Sequence, residues 1–200
     1  MKFDPDKHHR RTIRLPGYDY GCAGAYFVTV CTRNRECLFG EVSDGKMVLN
    51  QYGKIVSECW QTMTSHFSNI SSGEFVVMPN HVHGILLIAD DAGETWATHE
   101  SPLQDRPLQD RPLQEPSQQT SASRPRGPAR QSISVAIGLF KAAAAKRINA
   151  VRDTSGLSIW QRNYYEHIIR DETELAQKHD YIEANPSRWA QDEENVGEMK

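Results

Sequence analysis

The sequence predicts an α+β fold, a four-stranded antiparallel sheet with helices on one face and an added C-terminal helix. Three observations carry this. Runs at 25–32, 73–78, 81–89 and 158–170 are rich in β-branched and aromatic residues. Two longer stretches, 51–67 and 131–152, repeat apolar residues at helical spacing. The two kinds interleave as strand, helix, strand, strand, helix, strand, which is the split βαβ, ferredoxin-like order that RRM-like domains share.

In the first run, AYFVTVCT, Tyr26, Val28 and Val30 alternate with Phe27, Thr29 and Cys31. KMVLN at 46–50 reads as a short strand beside it. From Gln51 to Phe67, the residues Ile55, Cys59, Met63 and Phe67 recur every four, with Val56 and Trp60 alongside, making an amphipathic helix. GEFVVM and HVHGILLIA form a hairpin joined at Pro79-Asn80, since proline has no N–H to give a ladder. Residues 90–130 carry the tandem PLQDR and most of the prolines, with little to bury, and so read as a disordered insert. Helical periodicity returns through Ile133, Ile137, Phe140, Ala144, Ile148 and Val151. SIWQRNYYEHIIR at 158–170 is the last strand, with Tyr164 and Tyr165 on opposite faces. A final helix starts at Asp171, with Glu174 as capping-box partner, and stops at Pro186. The expected division is a basic arm at 1–24, one domain made of 25–89 and 131–190, the insert, and an acidic tail at 191–200. The sheet face away from the helices is expected to be free for binding.

At 200 residues the chain suits one domain with an ordinary core. Its longest apolar runs fall short of a membrane span and its first residues lack the apolar core of a signal peptide, so the expected location is cytoplasmic, with no membrane partner. The four cysteines have no CxxC pairing and read as free thiols. The net charge of −3 is unevenly spread: Arg124 to Arg170 holds nine Lys or Arg against Asp153 and Glu166, and KHHRRTIR at 7–14 adds Arg10 and Arg11 among cations without an acid. Such asymmetry fits a phosphate backbone as well as a solvated surface.

Within HVHGILLIA, His81 and His83 are two apart on a strand and project from one face, where two imidazoles can share a metal ion. An incidental pair is the plainer alternative. In HDYIEANP, Tyr181 and Asn185 are four apart on one helical face, about 100 degrees from the apolar stripe of Leu175 and Ile182. Taken singly, Tyr181 is an amphipathic edge residue and Asn185 a helix-ending residue before Pro186.

The segments LPGYDYGCAGAYFVTVCTRNRECLFGE, MPNHVHGILLI, IWQRNYYEHIIRDETEL and YIEANPSRW, in that order, together resemble the REP-associated tyrosine transposases, single-tyrosine members of the HUH endonuclease superfamily. The resemblance implies an enzyme that nicks and joins single-stranded DNA at repeat hairpins. It implies His81, His83 and Asn185 as ligands of Mg²⁺ or Mn²⁺ and Tyr181 as the nucleophile, leaving a 5′-phosphotyrosine and a free 3′-OH. Two imidazoles and an amide are a neutral set, which suits a hard dication completed by water and phosphate oxygens. Candidate DNA contacts are Arg10, Arg11, Lys141, Lys146, Arg147, Arg162, Tyr165, His167 and Arg170. Relatives imply either a homodimer that exchanges the tyrosine helix or a monomer. The rival readings are a non-catalytic nucleic-acid-binding module of RRM-like fold and a metal-dependent hydrolase that leaves no protein on the DNA.

Overall fold

The computed structural model describes residues 23–89 and 132–195. Residues 1–22 of the basic arm, the proline-rich insert and the last five residues lie outside the described residues. In chain order the elements are β1 (Gly24–Cys31), β2 (Gly40–Ser43), β3 (Lys46–Leu49), α1 (Gln51–Met63), β4 (Ile70–Val77), β5 (His81–Ile88), α2 (Ile133–Val151), β6 (Tyr165–Ile169) and α3 (Glu172–Ala184). The antiparallel sheet runs β4-β5-β1-β6, the strand order of the split βαβ pattern.

Side-chain alternation explains the two layers. Tyr26, Val28 and Val30 of β1 and Val82, Leu86 and Ile88 of β5 face α1 and α2, forming the main core with Ile55, Val56, Trp60, Ile137, Phe140 and Ile148. Each such side chain stabilises the fold by about 1.5–3 kcal/mol through the water it sheds. Trp60 lies directly on Gly84, where an added Cβ would stand 2.2 Å from the indole; glycine there lets α1 close on the sheet. Asn50 starts α1 by accepting the amide N–H groups of Tyr52 and Gly53, donors the first turn leaves without a partner.

Several expected boundaries change. KMVLN does not lie beside β1 but pairs with β2 in a separate hairpin. The turn explains it: Asp44 and Gly45 both have positive φ (51° and 71°), the Asp-Gly turn that matches strand twist. The helix expected to reach Phe67 ends at Met63 and tightens into a 3₁₀ turn over Thr64–His66. The last strand shrinks to Tyr165–Ile169. Before it, Trp160 bridges Thr32 and the chain then leaves the sheet, its turn held by the Lys141 ammonium, which donates to the carbonyls of Gln161, Arg162 and Asn163.

The second face of the sheet is only half free. At one end Ala25, Phe27, Ile85 and Ile169 are apolar, and α3 covers them with Ile182, Leu175 packing alongside. At the other end Thr29, Cys31, His81 and His83 share that face and are polar, so apolar cover would gain nothing there. Asp171 caps α3 by accepting the Glu174 N–H. Glu174 reaches back one residue further than a capping box requires, accepting from the Arg170 N–H and from His167. Cys31, Cys37 and Cys59 are free thiols. Among the described residues no helix is long and apolar enough to cross a membrane.

Candidate active site and metal centre

His81 and His83 open β5 opposite Cys31 and Thr29 of β1. Both are buried, and their ring centroids are 4.3 Å apart. Their neighbours fix which nitrogen holds the proton. The Asn80 amide nitrogen donates to the carbonyls of Arg35 and Glu194, so its oxygen is the atom turned to His81 Nδ1 at 2.8 Å. Nδ1 of His81 therefore carries the hydrogen, and Nε2 keeps a lone pair. His83 Nδ1 lies 2.8 Å from Thr29 Oγ1, and its Nε2 lies 3.3 Å from the Tyr181 hydroxyl. Burial pushes the His81 imidazole down to about 4, with Arg35 adding to that and Asp192 opposing it. His83 is also held well below the usual histidine range, by burial first and then by His81 and Lys178. Both rings are neutral at pH 7, the form that binds a metal.

The last helix brings the remaining groups. Phe27 of β1 is the hub: its ring stacks on His83 with centroids 5.3 Å apart and meets Tyr181 edge-on at 5.9 Å. Tyr181 is 39% exposed and lines the cavity described below. Its phenol is pushed up to about 12 by burial and by the carboxylates of Asp192, Glu193 and Glu194, while a hydrogen bond with Asn185 acts the other way. Asn185 is buried and donates from Nδ2 to Asp192 Oδ2 at 2.8 Å. Asp192 is the residue sequence reasoning missed, because it was grouped with an acidic tail. A 3₁₀ turn over Pro186–Gln191 folds the chain back so that a carboxylate oxygen of Asp192 and one nitrogen of each histidine all lie within 4.8 Å of one another.

The donor set fits a divalent ion. Among the described residues, two buried polar atoms at this point have no hydrogen-bond partner, His81 Nε2 and Asn185 Oδ1. A buried lone pair without a donor is costly, and both are the atoms a metal would use. With Asp192 the set is no longer neutral, which strengthens attraction for a hard dication over the two imidazoles and amide alone. Beside the histidines and Tyr181 opens a cavity of about 570 Å³, reaching Tyr165, Lys178 and Asn163.

No known family model matches the chain. An uncharacterized protein of Haemophilus influenzae (strain ATCC 51907 / DSM 11121 / KW20 / Rd) is 39% identical over 192 residues, 96% of either chain. The chain belongs to one family with that protein. Among solved structures, a REP-associated tyrosine transposase bound to a REP hairpin superposes with a TM-score of 0.53 at 16% identity, covering 88% of this chain and 74% of that one. The fold is that of the REP-associated tyrosine transposase. The resemblance read from the motifs is thus met at the level of architecture.

On this transposase fold the other candidate residues fall in different places. Tyr165 is 42% exposed and lines the cavity, and Arg162 is exposed between the cavity-lining Gln161 and Asn163. Lys141 is spent on three backbone carbonyls. Lys146 and Arg147 are exposed on α2, on the opposite side of the sheet from the histidines, and Arg147 donates to Glu58 of α1. His167 is engaged by Glu174 and so ties α3 to β6. Arg170 is exposed just past the end of β6 that lies away from His83. Arg10 and Arg11 lie outside the described residues. Tyr164 packs against the main core and Tyr165 does not, as the alternation of the last strand implies.

Proposed function

We propose that the chain is a tyrosine transposase that nicks and rejoins single-stranded DNA able to form hairpins, through a covalent bond to Tyr181. The observation that carries this reading is the approach of the Tyr181 hydroxyl to His83 Nε2 at 3.3 Å, in a cluster that also holds His81 and Asp192. A cavity-lining phenol beside a metal-competent group of donors is what attack on a phosphodiester needs.

His81, His83 and Asp192 would hold Mg²⁺ or Mn²⁺, with Asn185 Oδ1 as a further donor. When bound, the ion supplies polarisation of a phosphate oxygen and neutralisation of its growing charge. The chain's own residues do the rest. Asn80 and Thr29 orient the imidazoles through Nδ1. Phe27 and α3 hold the phenol in line with the cavity. The Tyr181 oxygen bonds to phosphorus as its proton leaves to solvent, and the bond from phosphorus to the 3′ oxygen breaks, that oxygen taking a proton from water to become a free 3′-OH. Attack by a 3′-OH on the phosphotyrosine reverses these steps and joins strands, the energy of the cleaved bond having been kept.

The test is incubation of labelled single-stranded hairpin oligonucleotides with the protein and Mn²⁺, followed by denaturing electrophoresis. The expected result is a protein-linked DNA band that disappears in Tyr181→Phe. Cleavage with no protein on the DNA would assign a hydrolase instead. Binding without cleavage would assign the non-catalytic module.

A further inference from the structure

The row of α3 that faces the sheet is Leu175, Lys178, Ile182 and Asn185, spaced by three, four and three. Two members are apolar and anchor the helix. Asn185 reaches the histidine cluster through Asp192. Lys178 is the remaining member, and an ammonium in a docking row is costly unless something uses its charge. It lies 4.8 Å from the centroid of the Phe27 ring, the same ring that His83 and Tyr181 contact, and it lines the cavity with both of them. Glu174, one turn earlier, feels its charge but commits one oxygen to His167 and the other to the Arg170 N–H. Arg35, the other lysine or arginine lining the cavity, is paired with Glu194 at 3.0 Å. Among the described residues, Lys178 therefore has an aromatic face beneath it and no anion bonded to it.

We propose that Lys178 binds the phosphate of the bound DNA strand that Tyr181 attacks. Its identity as the scissile phosphate rests on the tyrosine reading above; its contact with a strand phosphate does not. Lys178 and Tyr181, three apart, share a helical face, so one rigid element carries both the attacking oxygen and the charge that draws the phosphorus toward it. Before a dication binds, the carboxylates of Asp192, Glu193 and Glu194 outweigh Arg35 in the same cavity, so a further positive charge there eases the entry of a phosphodiester. The ring of Phe27 keeps the ammonium placed without neutralising it.

The experiment compares the wild-type protein with Lys178→Met, which keeps the stem and loses the charge, and Lys178→Arg, which keeps the charge. A fluorescein-labelled pool of random single-stranded oligonucleotides is titrated with each protein at several salt concentrations in Mn²⁺, and thermal midpoints are read in parallel. For Lys178→Met the expected results are a salt slope shallower by about 0.7, the share of one phosphate contact on a single strand, and an unchanged midpoint. Adduct formation on the hairpin oligonucleotide falls about 10- to 100-fold, the range for losing a hydrogen bond to a charged group, and Lys178→Arg restores most of both. Should the methionine variant fail to fold, Lys178→Gln is read in its place. An unchanged salt slope overturns the inference, whatever the wild type does to DNA. A shallower slope in a protein whose wild type forms no adduct keeps the phosphate contact and removes the tyrosine chemistry.

Discussion

Asn80 governs how His81 can be used. Its side chain is fully buried and links the carbonyls of Arg35 and Glu194 to the imidazole Nδ1, so that the remaining nitrogen faces the cluster as a free lone pair. Replacing Asn80 by Ala leaves two carbonyls and one ring N–H without partners. The expected outcome is a Mn²⁺ affinity about 10- to 100-fold weaker by calorimetry, the usual penalty for losing an outer-shell partner. Acid sensitivity belongs to the same residue. Burial holds His81 down at about 4, whereas an unfolded histidine titrates near about 6.5. Between those values the unfolded chain takes up a proton the folded one refuses, so this contribution to stability is intact above the upper value and drains away as pH falls to the lower. The loss from His81 is at most about 3 kcal/mol, and His83 acts in the same direction. Urea denaturation of chelator-treated protein across this range should show the decline, and His81→Ala should flatten it.

Helix α3 is where local sequence and long-range contact meet. Its apolar anchor, Ile182, is buried against Ala25, Phe27, Ile85 and Ile169, so Ile182→Ala should cost about 2–4 kcal/mol in urea denaturation and remove adduct formation as Tyr181 loses its seat. Loss of the cap in Asp171→Ala should cost about 1 kcal/mol, with the site left intact. The stripe of Leu175 and Ile182 was legible because helical spacing reports the docked side directly, and the shared face of His81 and His83 was legible from strand alternation. Asp192 was not, since a 3₁₀ return past Pro186 leaves no periodic mark. Lys178 carries a signal in its place between Leu175 and Ile182, a position that shows only when charge is read by helical position and not by blocks of sequence. The Asp44-Gly45 turn was equally readable, and attending to it would have paired 46–49 with the run before it.

At the scale of the molecule, the order β4-β5-β1-β6 puts the histidines and the tyrosine on one side of the sheet although residues far apart in the chain supply them. A ligand that binds only this assembled arrangement stabilises the whole fold by mass action, about 2.7 kcal/mol at a hundredfold excess over its dissociation constant. Added Mn²⁺ should therefore raise the thermal midpoint of the wild type, and His83→Ala should abolish that rise. The overall order of strands and helices was legible because each element has its own period. The half-covered second face was not, because alternation gives a strand two sides without saying which neighbour arrives to roof one of them.

Strand β1 touches both halves of this arrangement, zipping to β5 along one edge and to β6 along the other. Severing the chain between Ala89 and Ser132 would therefore give two inert fragments, one owning the imidazoles and the other the phenol. If the tyrosine reading holds, mixing them restores linkage to DNA only as the edge between β1 and β6 re-forms.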